Sequence, residues 1–239
     1  MKRFFMTLRA ILYPLGSLIF PCKIMDKDKY KKYARGEVLI SNHLSWIDIV
    51  YMIFRVPGFK RYLSKKENSG SKLQHAFLRS VGVIFVDREK PELSSMRECL
   101  TALKNGESLS VFPEGTRNKT GRELQPFHSG AAMFALKGKV PVIPVVFHHK
   151  GRFFRRNYMG YGDPVYLDDL YSRRLDEEVL NEATERFRAA MQKTLDKLDR
   201  WVEEKGYKKD KKISRRNKRD LEKQYKAAKK EYARNTHCK

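Results

Sequence analysis

The sequence of 239 residues predicts an α/β fold with a largely parallel central sheet flanked by helices. From Glu37 onward, short apolar runs alternate with helical segments of about ten residues, a pattern typical of βαβ units. The chain is long enough to bury a sizeable core. Side chains capable of chemistry fall where a strand gives way to a helix, and α/β folds commonly place their sites there.

Six strands are predicted, each a short and mainly apolar run: 38–41, 62–64, 83–86, 109–112, 142–147 and 164–167. Helices are predicted between them at 47–54, 71–80, 92–105 and 129–137. Gly106 and Gly138 stand where glycines end helices, and we expect the sheet to end near Leu167. The segment 176–204 repeats apolar residues at helical spacing, so we interpret it as one long amphipathic helix packed against the body.

The N-terminal segment is apolar but does not suit a transmembrane span. Its charge-free stretch, Ala10 to Cys22, has 13 residues and contains Pro14, whereas a helix needs about 20 residues to cross a bilayer. We predict a helix lying in the membrane interface, because apolar side chains share one side and Lys2 and Arg9 lie roughly opposite. The apolar side comprises Phe4, Leu8, Ile11, Leu12, Leu15 and Ile19. A core helix and, less favoured, a secretory signal peptide are the alternatives; no small-residue cleavage site follows.

The formal net charge is +23, and it is unevenly placed. Residues 207–239 contain 14 Lys or Arg and 4 Asp or Glu, so +10 of the charge lies there. Such a balance implies an anionic partner, which could be nucleic acid, an anionic membrane surface or a phosphate-bearing substrate. We predict three parts: a membrane-interface helical segment at 1–30, an α/β domain at 31–206 and a basic tail at 207–239. The tail either contacts a membrane or stays solvated.

Three cysteines lie far apart in the chain, with no Cys-x-x-Cys pair. This spacing indicates neither a disulfide framework nor a zinc site and suits a reducing cytoplasm. His128, His148 and His149 do not stand at ligand-like spacing either. We expect no metal and no cofactor.

His43 and Asp48 lie where the strand at 38–41 gives way to the helix at 47–54. An imidazole can act as a base near neutral pH, and a carboxylate can hold its tautomer. Five residues apart on one helix they would not share a face, but they can meet if His43 lies in the turn. The alternative is that His43 caps a turn and Asp48 is an ordinary acid of the first helical turn.

A second polar group follows the strand at 109–112. Gly115 lets the backbone approach a ligand closely, Thr116 supplies a hydroxyl, and Arg117 offers a planar fork suited to phosphate oxygens. Glu114 could order that arginine or accept a substrate hydroxyl. Arg88 ends the preceding strand candidate and would lie at the same sheet edge, although plain salt bridges at strand ends remain the alternative.

Four segments in order resemble the motifs of the glycerolipid acyltransferases, the 1-acylglycerol-3-phosphate acyltransferase family. They are Asn42-His43 with Asp48, Gly82 to Arg88, Val111 to Arg117, and Val140 to Val145. The resemblance implies transfer of a fatty acyl group from a thioester donor, acyl carrier protein or coenzyme A, to the free hydroxyl of a lysophospholipid. It also implies an enzyme at the cytoplasmic face of a membrane, attached without spanning it, and no nucleic-acid partner.

By the same resemblance, His43 is the general base and Asp48 is its orienting partner. Glu114, Gly115, Thr116 and Arg117 surround the acceptor phosphate, joined by Arg88 and by Lys66, whose segment departs from the family pattern at Asn68. No Gly-x-Ser-x-Gly elbow or motif cysteine indicates a covalent enzyme intermediate. A lipid hydrolase using the same pair and a basic nucleic-acid-binding protein are the alternatives, as are other lysophospholipid or glycerol-3-phosphate acceptors.

Overall fold

The computed structural model describes residues 1–30, 36–87, 93–118 and 123–206. The chain divides into two compact units, Met1–Leu198 and Asp199–Lys239. The first unit contains the whole sheet. The described part of the second unit is the end of a long helix and a π-helical turn, Val202–Gly206. The predicted basic tail, 207–239, lies outside the described residues, and the part boundaries at 30 and 206 stay predictions.

Helices and strands alternate along the first unit. The helices are α1 Lys2–Ile19, α2 Lys27–Tyr30, α3 Ile47–Arg55, α4 Lys72–Ser80, α5 Leu93–Lys104, α6 Gly130–Gly138 and α7 Glu177–Trp201. The strands are β1 Cys22–Met25, β2 Val38–Ser41, β3 Lys60–Lys65, β4 Val83–Val86, β5 Ser108–Val111, β6 Val142–Phe147 and β7 Asn157–Tyr161. A single 3-10 turn, Lys66–Ser69, follows β3.

The seven strands form one sheet in the order β1-β7-β6-β2-β5-β3-β4. Every neighbouring pair is parallel except β6 and β7. The predicted α/β class with a mostly parallel central sheet is therefore confirmed. Because β2, β5, β3 and β4 run in the same direction, their carboxyl ends lie at one edge of the sheet, which we call the catalytic edge.

Two strands were missed and one predicted strand is wrong. Strand β1 follows Pro21 and was read as the end of the N-terminal segment, and β7 mixes polar residues and a glycine with its apolar ones. The segment 164–167 forms only an isolated antiparallel bridge between Val165 and Val142, just after Pro164. Pairing with distant segments decides all three outcomes, because β1 and β7 gain hydrogen-bonded partners in the sheet, whereas the apolar run 164–167 forms only one bridge.

Helix ends follow the prediction at one glycine and depart from it at the other. Gly106 adopts the left-handed conformation after α5, with φ of +71°. After α6 the left-handed residue is Lys139, with φ of +49°, and Gly138 is the last helical residue. A Cβ at Gly138 would lie 2.9 Å from Leu103 Cδ1, so the absence of a side chain lets α6 pack closely on α5.

Helices cover both faces of the sheet. Helices α5 and α6 pack on one face, against each other and against β4, β5 and β2. Helices α1 and α3 pack together on the other face, where Phe5 of α1 enters the core beside Phe59. Helix α7 buries the predicted apolar stripe, including Val179, Phe187, Met191 and Leu195.

Helices α1 and α3 cap each other through two arginines. Arg9 of α1 donates to the carbonyls of Phe54 and Gly58 at the end of α3, at 3.2 and 3.4 Å. Arg55 of α3 donates to the carbonyl of Phe20, which follows α1, at 3.0 Å. Cations at helix C-termini satisfy carbonyls that have no partner within the helix. These bonds tie the N-terminal helix to the body.

One side of α1 buries Phe5 and Gly16, while another apolar side remains exposed. The exposed apolar residues include Phe4, Ile11, Leu12, Leu15 and Leu18. One side of the helix therefore packs as the core-helix alternative predicts, and the membrane-interface role of the exposed side stays a prediction. Among the residues that the structure describes, no helix has the length and apolarity needed to cross a membrane.

Candidate active site

His43 follows β2 at the catalytic edge, and Asn42 fixes its backbone. The Asn42 side chain accepts from Phe147 N at 2.8 Å and donates to Phe147 O at 3.0 Å. Asn42 is buried, so both bonds are shielded from water. Because Phe147 ends β6, the next strand of the sheet, this pair of bonds holds the start of the catalytic turn against a rigid neighbour.

Asp48 lies in the first turn of α3, and its carboxylate binds the turn that precedes it. Oδ2 accepts from the backbone N–H groups of Leu44 and Ser45, both at 2.6 Å. Oδ1 accepts from Ser45 Oγ at 3.1 Å. A carboxylate near a helix N-terminus is favoured by the helix dipole. The fully buried side chain of Asp48 therefore both shapes the turn and has a fixed position.

The His43 and Asp48 side chains meet, with Nδ1 of His43 lying 3.1 Å from Oδ2 of Asp48. The imidazole also stacks on the Phe112 ring, with centroids 4.1 Å apart. An ionised carboxylate can only accept, so Nδ1 carries a proton and Nε2 keeps its lone pair in the neutral ring. The His43 side chain is 15 % exposed, and it has the tautomer that a general base needs.

Glu114 braces the catalytic turn from the neighbouring strand. Its Oε1 accepts from His43 N at 3.1 Å, while Oε2 accepts from Asn118 Nδ2 at 3.1 Å and Gln125 N at 3.3 Å. Asn118 N in turn donates to His43 O at 2.7 Å. Burial raises the pKa of Glu114, against the hydrogen bonds from His43, Gln125 and Asn118. This carboxylate and Asn118 hold the backbone of His43 from both sides.

The hydrogen-bond partners of Glu114 are His43, Asn118 and Gln125, and its predicted roles toward Arg117 or a substrate hydroxyl stay predictions. Gly115 adopts φ of +72°, a conformation that side chains disfavour, and turns the chain after β5. Thr116 and Arg117 are exposed beyond that turn. Thr116 Oγ1 bonds Gln125 Oε1 at 3.3 Å, whereas Arg117 has no ion pair with any described residue.

Lys66 is exposed in the 3-10 turn that follows β3, so it too lies at the catalytic edge. Arg88 follows β4 in sequence but lies outside the described residues. The edge therefore brings together His43, Asp48, Lys66 and the segment Glu114–Arg117. Over the described ranges, no three His, Cys, Asp or Glu side chains converge as a metal site would require.

Three residues of the site had no predicted role. Asn42 stood in the first motif, but only the structure reveals that its amide binds β6. Asn118 follows the third motif without any sequence signal that it would reach His43. Phe112 was predicted as the last residue of a strand and instead lies just beyond β5, where its ring stacks on the imidazole.

A His–Asp pair at the carboxyl edge of a mostly parallel sheet is an arrangement typical of an α/β enzyme. The chain belongs to the Acyltransferase family, whose sequence model matches residues 23–148, more than half of its length. The family membership expected from the four motifs is thus confirmed, and the protein is an acyltransferase-family enzyme.

The chain resembles curated members of this family. It is 29% identical over 170 residues to the 1-acyl-sn-glycerol-3-phosphate acyltransferase of Bacillus subtilis, covering 69% of this chain and 83% of that protein. The Streptococcus pneumoniae protein of the same name is 26% identical over 187 residues, 75% of this chain and 68% of that protein.

A solved structure has the same fold. The 1-acyl-sn-glycerophosphate acyltransferase of Thermotoga maritima superposes with a TM-score of 0.61, covering 82% of each chain. The sequence identity is 23%, so this likeness concerns the fold.

Proposed function

We propose that the protein transfers a fatty acyl group from an acyl thioester to the free hydroxyl of 1-acylglycerol-3-phosphate, giving phosphatidate for phospholipid biosynthesis. One observation carries this assignment: the His43–Asp48 pair lies at the same sheet edge as the turn at Gly115, in which Thr116 and Arg117 are exposed. A base and an anion-binding turn at one edge suit an acceptor that carries both a hydroxyl and a phosphate. The names of the Bacillus and Streptococcus relatives support the same acceptor.

In this mechanism His43 is the general base. Nε2 takes the proton of the acceptor hydroxyl as the oxygen attacks the thioester carbonyl, and Asp48 stabilises the imidazolium through Nδ1. The tetrahedral intermediate then expels the thiolate, which receives the proton from His43. The carbon–oxygen bond forms, the carbon–sulfur bond breaks, and the enzyme returns to its starting state.

A positioned base of this kind contributes a rate factor of about 10²–10⁴, or roughly 3–5 kcal/mol of barrier reduction. The thioester donor is already activated, so the enzyme mainly has to deprotonate the acceptor hydroxyl and orient it toward the thioester carbonyl. Asp48 and Glu114 contribute to this orientation indirectly, because both fix the turn that carries His43.

Arg117 binds the acceptor phosphate in this assignment, together with Thr116 and the backbone at Gly115. Guanidinium forks match phosphate oxygens bidentately. Lys66 and Arg88 add positive charge at the ends of β3 and β4. Glu114 takes part as a brace for His43 and for the turn before Arg117.

The donor is acyl carrier protein or coenzyme A, and the enzyme acts at the cytoplasmic face of a membrane without spanning it. The exposed apolar side of α1 and the basic residues 207–239 are the proposed attachments to an anionic membrane surface. Burial of apolar side chains supports the first and charge attraction supports the second.

The test is an assay of purified protein with lysophosphatidate and each donor in turn. We expect phosphatidate to form in equal amount to the released thiol, and His43→Ala to abolish both. Release of free fatty acid without phosphatidate would identify a hydrolase instead. Comparison of lysophosphatidate with glycerol-3-phosphate and with a lysophospholipid of another headgroup would identify the acceptor.

A further inference from the structure

Three aromatic side chains are exposed together beside the candidate active site. Trp46, just before α3, is 53% exposed, and Phe153 and Phe154, in the β6–β7 loop 148–156, are 48% and 71% exposed. The Trp46 and Phe153 ring centroids lie 5.8 Å apart. We call these three side chains the aromatic patch. Large apolar rings grouped on a surface mark an interaction site more often than isolated ones do.

The aromatic patch lies beside the catalytic pair. Trp46 stands in the turn between His43 and Asp48, and the β6–β7 loop begins directly after Phe147, which is bonded to Asn42. The patch is thus continuous with the turn that carries the base. A partner that docked on the aromatic patch would therefore place its own molecules close to His43.

The backbone holds the β6–β7 loop in place between two helices. Phe154 N donates to Ile19 O, at the end of α1, at 2.7 Å, and the Phe153 ring lies 5.1 Å from that of Phe20. On the other side, a Cβ at Gly151 would lie 2.6 Å from Ile47 Cγ2, so only glycine allows the loop to approach α3 this closely. Phe154 has φ of +51°. A positive φ is unfavourable for a residue with a side chain, and Phe154 adopts it although its ring is exposed to solvent.

The same loop is strongly basic. Residues 148–156 contain Lys150, Arg152, Arg155 and Arg156 and no carboxylate. Lys150 and Arg155 are exposed. Amphipathic aromatic rings settle at the headgroup level of a bilayer, and nearby cations are attracted to anionic lipid. An acidic carrier protein would match the charges, but three exposed rings, of which Trp46 and Phe153 lie in contact, favour a bilayer.

We propose that the aromatic patch and the basic β6–β7 loop dock onto an anionic bilayer surface, so that the His43 turn meets its acceptor within the lipid interface. None of the residues of this surface belongs to α1 or to the segment 207–239. It rests on the proposed function for the lipid nature of the acceptor. The physical claim is that Trp46 and Phe154 enter the interface when the protein binds vesicles.

Tryptophan fluorescence tests the physical claim without any activity. The chain has two tryptophans, so Trp201→Phe leaves Trp46 as the reporter. We expect its emission to shift to the blue on vesicles of phosphatidylcholine with phosphatidylglycerol, and to be quenched when the lipid chains carry bromine. Protein that floats with such vesicles while Trp46 stays unquenched would overturn the proposal.

A matched pair of variants tests the consequence for turnover. Phe154→Asn removes the ring and suits a left-handed backbone. Tyr166→Asn removes another exposed aromatic ring, 52% exposed against 71% for Phe154, beside the Val142–Val165 bridge at the opposite edge of the sheet. We expect Phe154→Asn to lower turnover of vesicle-embedded lysophosphatidate about tenfold, as loss of one buried ring predicts. Turnover of a dispersed short-chain acceptor, and both activities of Tyr166→Asn, should be unchanged.

Other outcomes contradict the proposal in distinct ways. Equal loss on both acceptors would give Phe154 a role inside the active site. Loss on the dispersed acceptor with only the carrier-protein donor would assign the surface to that protein. Should lysophosphatidate prove not to be an acceptor at all, the proposed function fails, and quenching of Trp46 by brominated lipid alone decides whether the surface docks on a bilayer.

Discussion

Asp48 receives hydrogen bonds from the imidazole of His43 and from two backbone N–H groups of the turn between them. Asp48 therefore positions both the imidazole ring of His43 and the backbone of the turn. Glu114 does the same from the next strand, through His43 N. His43 is therefore held at its ring and at its backbone by two buried carboxylates.

His43→Ala should abolish acyl transfer and leave the fold intact, because the imidazole lies outside the hydrophobic core and the backbone hydrogen bonds of His43 remain. Asp48→Asn should lower kcat by about 10²–10⁴, since an amide permits the wrong tautomer of His43. Steady-state kinetics measures the activity of both variants, and circular dichroism checks that each variant is folded. The general-base role is wrong if His43→Ala keeps more than about a tenth of wild-type turnover.

Arg117→Lys should raise the KM for a phosphate-bearing acceptor, because an ammonium group cannot replace a bidentate fork. The KM for the acyl donor should not change. Arg174→Lys, at a site distant in sequence from the motifs, is the control. The phosphate assignment would be abandoned if acceptor KM and kcat both stayed at the wild-type values.

At the scale of elements, a buried ion pair joins the starts of two central strands. Lys60 Nζ in β3 lies 3.3 Å from Glu37 Oε1, just before β2, and both side chains are fully buried. Tyr30 donates to the same oxygen at 2.7 Å. Burial lowers the pKa of Lys60, while the Glu37 charge opposes that shift. The pair is thus far from the catalytic edge, at the amino ends of the strands.

Lys60→Met should lower the free energy of unfolding by about 3–5 kcal/mol, because it leaves the Glu37 carboxylate buried without its cation. The double variant Lys60→Met with Glu37→Gln should recover most of that loss. Urea denaturation measures both. Lys197→Met, which breaks the partly exposed pair with Asp26, is the control and should cost less than about 1 kcal/mol. A Lys60→Met protein as stable as wild type would contradict the argument.

Helix α1 contributes to the fold as well as to the proposed membrane attachment. Deleting residues 1–25 would remove β1, the buried Phe5 and the Arg9 caps together, so loss of binding could reflect loss of the fold. Substitution of Ile11, Leu15 and Leu18 avoids this problem, because each of these side chains is more than half exposed.

Ile11→Ser with Leu15→Ser and Leu18→Ser should weaken the binding of the protein to vesicles by a similar factor at every ionic strength, since apolar burial is only weakly sensitive to salt. Vesicle flotation measures this, and Leu93→Ser with Leu175→Ser, two exposed leucines elsewhere, is the control. The attachment assigned to α1 would be refuted if the triple variant floated as well as the wild-type protein in high salt.

At the scale of the whole molecule, the formal charge of +23 favours an anionic surface over long range. Deletion of residues 207–239 removes +10 of that charge. We expect weaker flotation with anionic vesicles at low salt and little change in high salt, because the attraction is screened within a Debye length of about 8–10 Å. An equal loss at every salt concentration would assign the tail a different kind of contact.

The sequence by itself determined the fold class, the order of the central elements and the family. Apolar runs and helical periods locate β2, β4 and β6 at their observed residues, because these strands are buried and intrinsically strand-forming. The four motifs name His43, Asp48 and Arg117 because the chemistry depends on residue type and local spacing. Local patterns do not identify β1 or β7, since their strand character comes from their neighbours in the sheet.

The tertiary structure alone decided which groups meet. Asn42 reaches β6, 105 residues away, Glu114 binds the backbone of His43, 71 residues away, and Phe153 joins Trp46 on one surface. No local pattern encodes these contacts, because they depend on the register and order of the strands. The sheet places the ends of β2, β5 and β6 side by side. Residues that are far apart in the sequence therefore lie together at the catalytic edge.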